Sequence, residues 1–166
     1  KINATFRSHL KGELTVGDNV ELEYGNNTYV ITKLLERKNL ISRPNLYQRK
    51  NKNVAANIDQ AAIIFTHSPA PIEHYIDRYL AALHNSNITP LIIVNKIDSQ
   101  TPEDELHISQ LADIYKKIGY TVCYISAISN VGIDNLNNEL ENKTSIFLGQ
   151  SGVGKSETLN AILGDH

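Results

Sequence analysis

Apolar and polar positions alternate over the amino-terminal part of the chain and then give way to continuous apolar runs separated by helical spacing. Two architectures in tandem are expected. Ala4 to Ser8, Val20 to Tyr24 and Thr28 to Leu34 alternate with the period of half-buried strands. Glycine and asparagine punctuate them at Gly12, Val16 to Asn19 and Gly25 to Asn27, the last a hairpin signal. Such closely spaced strands predict a small antiparallel β-barrel. Glu36 to Asn53 is polar and carries Arg37, Lys38, Arg43, Arg49, Lys50 and Lys52, the one basic concentration in the sequence. It reads equally well as a solvated linker or as a strip that meets a polyanion.

From Ala61 the pattern changes. Ala61 to Phe65 is an unbroken apolar run, as in a strand covered on both faces. Ile72, Tyr75, Ile76, Tyr79, Leu80 and Leu83 fall at helical spacing, and Leu91 to Val94 is a second buried strand. Thr101-Pro102-Glu103-Asp104 supplies an N-cap, a first-turn proline and acidic residues at the positive end of a helix. Leu111, Ile114, Tyr115 and Ile118 are expected on its inner face, with a stop at Gly119. Val122 to Ile125 is a third strand, Ile133 to Leu140 a short helix and Thr144 to Leu148 a fourth strand; a last helix opens at Glu157 with Leu159, Ile162 and Leu163 turned inward. Strands alternating with helices predict an α/β, doubly wound, mostly parallel sheet whose ligands sit beyond the carboxyl ends of its strands. The expected divisions are 1–53 for the barrel with its basic tail, 54–60 for a crossover linker and 61–166 for the α/β domain.

Composition changes this picture little. The 166 residues suffice for a real core, and a net charge of −2 gives no global pull toward nucleic acid, so any polyanion must be met locally. No run reaches the length of a membrane span and no leader is visible, which makes a cytoplasmic location the expectation. The single cysteine, Cys123, sits in an apolar run and reads as a core residue. His9, His67, His74, His84, His107 and His166 lack metal-ligand spacing. Tyr75, Tyr79 and Tyr115 read as core; Phe6 and Tyr29 could stack on bases, but packing is the preferred reading. The chain starts at Lys1, contains no methionine and stops ten residues past Ser156, so a fragment is expected.

Candidate chemistry begins at Gly149-Gln150-Ser151-Gly152-Val153-Gly154-Lys155-Ser156, a match to Gly-x4-Gly-Lys-Ser between a strand and a helix. Glycines let backbone N–H groups approach an anion, Lys155 brings charge to the β- and γ-phosphates, the Ser156 hydroxyl can ligate Mg²⁺, and the helix adds its positive end. The second strand runs into Asn95-Lys96-Ile97-Asp98. A carboxylate there can accept from N1–H and the 2-amino group of guanine, donors that adenine lacks at those positions, and a site built this way rejects the analogue strongly. The aliphatic stem of Lys96 can lie over a base, and Asn95 can bond the base or tie loops together. The third strand leads into Ser126-Ala127, whose small turn can present N–H groups to guanine O6. These elements at the ends of neighbouring strands predict a guanine-nucleotide site.

Their order is unusual, because Asn95 and Ser126 precede Gly149 where ordinary GTPases place the phosphate loop first; the sequence is circularly permuted. Together with Val16-Gly17-Asp18-Asn19-Val20, Arg37-Lys38-Asn39, Arg43-Pro44 and Ala56-Asn57-Ile58-Asp59-Gln60, this order resembles the ribosome small-subunit-dependent GTPase family, ribosome biogenesis GTPase A. The resemblance implies an OB-fold barrel, a permuted GTPase domain truncated here before its switch regions, and a carboxyl-terminal zinc domain outside this chain. It further implies slow GTP hydrolysis stimulated by the small ribosomal subunit, a role in late maturation of that subunit, and rRNA contacts, with a monomer as the default. Carried over by position, Asn95, Lys96 and Asp98 read guanine, Ser126 and Ala127 flank O6, Gly149 to Ser156 hold the phosphates and Ser156 binds Mg²⁺; the basic strip then reads as an RNA contact.

Glu157-Thr158 departs from the family's usual Ser-Ser or Ser-Thr, and no residue of this chain can be named as placing the attacking water, since the Asp-x-x-Gly element is absent from it. Two rivals stay open: an RNA-binding module with a structural guanine-nucleotide site, and an ATP-using P-loop enzyme in which Asp98 is irrelevant.

Overall fold

The computed structural model describes residues 2–10, 12–25, 27–45 and 50–164. The chain divides into two compact units, Lys1–Ile58 and Asp59–His166.

In the first unit, β1 (Ala4–Phe6), β2 (Val20–Gly25) and β3 (Thr28–Leu34) form a three-stranded sheet in the order β1-β3-β2. The pair β2–β3 is antiparallel, with Gly25 opposite Thr28, whereas β1 runs parallel to β3. The basic stretch is not a linker: β4 (Leu40–Asn45) and β5 (Lys50–Ala56) pair antiparallel as a separate two-stranded sheet. Its polar composition hides the strand signal, since its apolar residues are confined to one end of the hairpin, Leu40 and Ile41 opposite Ala55 and Ala56. The expected crossover at 54–60 is shorter as well. Ala55, Ala56 and Ile58 are buried, and β5 and the next strand take its two ends. Asn39 fixes Ile58 from both sides, accepting the Ile58 amide at 2.9 Å and donating to its carbonyl at 2.7 Å. Asn57, at φ 57°, donates to the Gly17 carbonyl at 2.8 Å. Phe6, expected to pack, is half exposed, while Tyr29 packs against Tyr24 with ring centroids 4.9 Å apart and the ring planes tilted by 52°.

The second unit is an α/β sheet of four parallel strands, β6 (Gln60–Phe65), β7 (Thr89–Val94), β8 (Val122–Tyr124) and β9 (Ser145–Leu148), in the order β8-β7-β6-β9. The apolar runs of β6 and β7 are buried on both faces, as their unbroken composition requires. Alternation splits them. Ala62, Ile64, Leu91, Ile93 and Cys123 join Ile125, Val153 and helix α3 (Ile133–Leu140) in one cluster, with Ile162 of α4 (Lys155–Leu163) packed against it. The opposite side is covered by α1 (Glu73–Asn85) and α2 (Pro102–Ile118), which pack on β6 and β7 and on β8 respectively.

Thr101 caps α2 as its sequence predicts, accepting from the Asp104 amide at 3.2 Å while the Asp104 carboxylate accepts from the Thr101 amide at 3.0 Å; Gly119 ends the helix at φ 108°. The inner face of α2 is rotated from the expected one. Ile108, Leu111, Ala112 and Tyr115 are buried, and Ile114 and Ile118 are exposed. In α4, Leu159 and Leu163 also face outward, and of the three expected apolar residues Ile162 alone turns in, beside Ala161 and the buried Thr158. Tyr115 is core and donates to Asp77 at 3.0 Å, but Tyr75 is largely exposed. Among the described residues no helix is long and apolar enough to cross a membrane.

Candidate nucleotide-binding site

Parallel pairing puts the carboxyl ends of all four strands on one edge, and each expected motif begins where a strand stops. Phe65 is level with Val94, and Val94 with Tyr124, so Asn95 and Ser126 emerge side by side; Ile63 is level with Leu148, which delivers Gly149 to the same edge.

Asn95 organises this edge. It is buried, donates Nδ2 to the Val153 carbonyl at 3.0 Å and accepts the Ala127 amide on Oδ1 at 3.2 Å. One side chain thereby binds the phosphate loop and the Ser-Ala turn to the end of β7. Of the two roles open to it in sequence, it performs the tying role. Lys96, held at φ 63°, extends Nζ to the carbonyls of Ser68 (3.0 Å) and Gly152 (2.7 Å), so its stem reaches across the edge to the phosphate loop. Asp98 lies in a 3₁₀ turn, Ile97–Ser99, and is exposed. The Ser126 amide donates to Val131 and its Oγ accepts the Ser129 amide at 3.1 Å, closing the turn. A guanine O6 reaching the Ala127 amide would compete with Asn95 for it.

The loop itself needs glycine for two separate reasons. Gly149, Gly152 and Gly154 have φ of 147°, 81° and 90°, a region costly for L side chains. A Cβ on Gly149 would also collide with the Ile64 carbonyl, and one on Gly154 with the Asn95 amide. Val153 is buried in the core cluster and anchors the loop from beneath. Lys155 Nζ folds over the loop to the carbonyls of Gly149 (3.1 Å) and Gln150 (2.6 Å), contacts that a bound phosphate would exchange for its own oxygens. Thr158, marked in sequence only as part of a departure from the family's usual residues, has a structural role. It is buried and its hydroxyl donates to the Gly154 carbonyl at 2.7 Å, fastening the first turn of α4.

Base and phosphate elements share one cleft of about 180 Å³, lined by Asn95, Lys96, Asp98, Ala127 and Ile128 together with Gly154 and Glu157. Ile128 is 78% exposed, an apolar surface in the same cleft as Asp98 that the short Ser-Ala signal does not reveal. Ser156 is exposed in the first turn of α4. A single hydroxyl there fits Mg²⁺, which keeps several waters and takes its other ligands from substrate phosphates. Among the described residues no group of three His, Cys, Asp or Glu side chains could hold a metal.

A family model described as RsgA GTPase matches residues 34–166. The chain belongs to the RsgA GTPase family. It is 37% identical over 162 residues to the small ribosomal subunit biogenesis GTPase RsgA of Ectopseudomonas mendocina, covering 95% of this chain and 47% of that protein. The RsgA of Sodalis glossinidius is 39% identical over 155 residues, covering 90% of this chain and 45% of its own length. This chain thus spans about half the length of the curated RsgA relatives that it matches. Among solved structures it is similar to YjeQ from Thermotoga maritima, with a TM-score of 0.83 at 30% identity over 99% of this chain and 58% of that one. It is also similar to YloQ, a circularly permuted GTPase, with a TM-score of 0.72 at 29% identity over 96% of this chain and 54% of that one.

Of the basic residues expected to meet RNA, Arg37 is committed elsewhere. Its guanidinium donates to Asp18 at 2.7 and 2.9 Å and to the Glu13 carbonyl at 2.6 Å. The Asp18 side chain is 3% exposed, and the Arg37 guanidinium holds its carboxyl below the usual carboxylate range. Arg37 is therefore a structural partner, and sequence could not reveal a pairing across 19 residues. Arg43 and Lys52 are exposed and directly opposite on β4 and β5, and Lys38 is exposed ahead of β4. Arg49 lies outside the described residues, as does the side chain of Lys50.

Proposed function

We propose that this chain is the guanine-nucleotide-binding part of a GTPase that serves assembly of the small ribosomal subunit. The observation that carries the reading is Asn95, whose two hydrogen bonds join the base-reading strand, the Ser-Ala turn and the phosphate loop around one cleft. Asp98 accepts from the guanine N1–H and 2-amino group, the Lys96 stem covers the base, and the turn at Ser126 and Ala127 faces O6. Gly149 to Lys155 receive the phosphates on backbone N–H groups and the Lys155 ammonium. Mg²⁺, held by the Ser156 hydroxyl, would neutralise charge developing between the β- and γ-phosphates. Catalysis of phosphoryl transfer depends on placement and charge, and the water-positioning group belongs to parts of the family outside this chain. Hydrolysis is accordingly slow and stimulated by the small subunit.

The family's further properties belong to the same proposal: an OB-type barrel, late maturation of the 30S subunit, a zinc domain beyond this chain, a cytoplasmic monomer. Arg43 opposite Lys52 supports rRNA binding by the first unit, because like charges facing each other across a hairpin are destabilising until an anion lies between them.

Competition of GDP and ADP for a fluorescent guanine nucleotide, with Mg²⁺ present, tests the site on this chain and on Asp98→Asn. The expected result is a GDP preference of orders of magnitude that Asp98→Asn redirects toward xanthine nucleotides. Equal competition by ADP would remove the chemical basis of the reading.

A further inference from the structure

Glu157 is the one cleft-lining charge to which the nucleotide chemistry assigns no role. It follows Ser156 in the first turn of α4, and its Oε2 lies 3.9 Å from where a Cβ on Gly154 would sit. The carboxylate is thus beside the loop backbone, in the same cleft as Asn95, Asp98 and Ala127. Among the described residues none of the ion pairs includes it. A nucleotide with its base on Asp98 and its terminal phosphates over Gly149 to Lys155 must lay its α-phosphate along the segment where loop becomes helix, Gly154 to Glu157. There the amides and the helix dipole attract an anion, and the protein already supplies one.

We propose that Glu157 sets the affinity of the site: its carboxylate faces the α-phosphate of a bound guanine nucleotide, weakens the complex and shortens its lifetime. The proposal rests on the guanine-nucleotide reading. Two unit charges about 6 Å apart, with an effective dielectric between the roughly 20 of a protein surface and the roughly 80 of water, repel enough to change affinity by about threefold to a hundredfold. Without ligand the same carboxylate stabilises the amino-terminal end of α4, so the site has its anion either way.

The test is a charge ladder. Affinity and dissociation rate of GDP are measured on this chain, Glu157→Gln and Glu157→Lys, in low salt and in about 0.5 M salt, with guanosine as an uncharged comparison and ADP as a base control. GDP is expected to bind about threefold to a hundredfold tighter to Glu157→Gln and tighter still to Glu157→Lys, through slower dissociation and with a gain that shrinks in salt. Guanosine should bind all three alike. GDP binding indifferent to the ladder, or guanosine gaining as much as GDP, would overturn the role of Glu157 and leave the guanine site standing. Loss of GDP preference over ADP in every form would overturn both.

Discussion

Asn95 is hydrogen-bonded to Val153, 58 residues further along the chain, by a 3.0 Å contact from its Nδ2 to the backbone carbonyl. The strand end that precedes Asp98 and the loop that carries Lys155 are therefore positioned by the same buried side chain, and the two sides of the cleft are mechanically joined.

Asn95→Ala leaves the Val153 carbonyl and the Ala127 amide without that partner in a buried place. Unfolding by urea should show a loss of about 2–3 kcal/mol, and GDP affinity should fall together with stability. A variant that binds GDP normally would show that the joint is not needed.

Two glycines separate backbone strain from collision. Gly119→Ala at φ 108° has open space around it and should cost about 1–2 kcal/mol with GDP binding retained. Gly149→Ala adds a clash with the Ile64 carbonyl and should abolish GDP binding, even where thermal denaturation shows the domain folded.

Asp18→Asn should destabilise the first unit by about 3 kcal/mol, since it leaves the Arg37 guanidinium without its anion, while GDP affinity is unchanged. The pH dependence has a definite sign. With its carboxyl held below the ordinary value of 3.8, Asp18 contributes stability that is present above that pH and is lost as pH falls through its folded value. Acid unfolding of Asp18→Asn should lack this component.

Burial pushes the Cys123 thiol above its ordinary range, and Glu139 adds to the shift. Little thiolate forms near neutral pH, so an aromatic disulfide reagent should react slowly with the native chain and promptly after denaturation. Fast native reaction would place Cys123 outside the core.

The parallel sheet was legible because Ala61 to Phe65 and Leu91 to Val94 are too uniformly apolar for anything but doubly covered strands. The placement of the candidate motifs was legible because Asn95, Ser126 and Gly149 each follow an apolar run. The α2 face was not: Ile108, Leu111, Ala112 and Tyr115 share one stripe and Leu111, Ile114, Tyr115 and Ile118 another, and only packing against β8 chooses. The β4–β5 hairpin was hidden by its basic and amide residues, and the engagement of Arg37 by a partner remote in sequence. In sequence Glu157 is only a departure from the family's usual residue; the assembled cleft shows which groups it shares space with.

The pairing of β6 with β9 spans nearly the whole second unit, and Asp59 holds Thr144 across 85 residues. During synthesis, strands β6, β7 and β8 are made with Asp98 and Ser126 before the phosphate loop. At about 5–20 residues per second, Gly149 follows Asp98 by roughly 3–10 s. Synthesis thus completes β6, β7 and β8 first, and the Gly149 to Lys155 loop that Asn95 must grip comes last, the reverse of the order in a GTPase whose loop leads the domain.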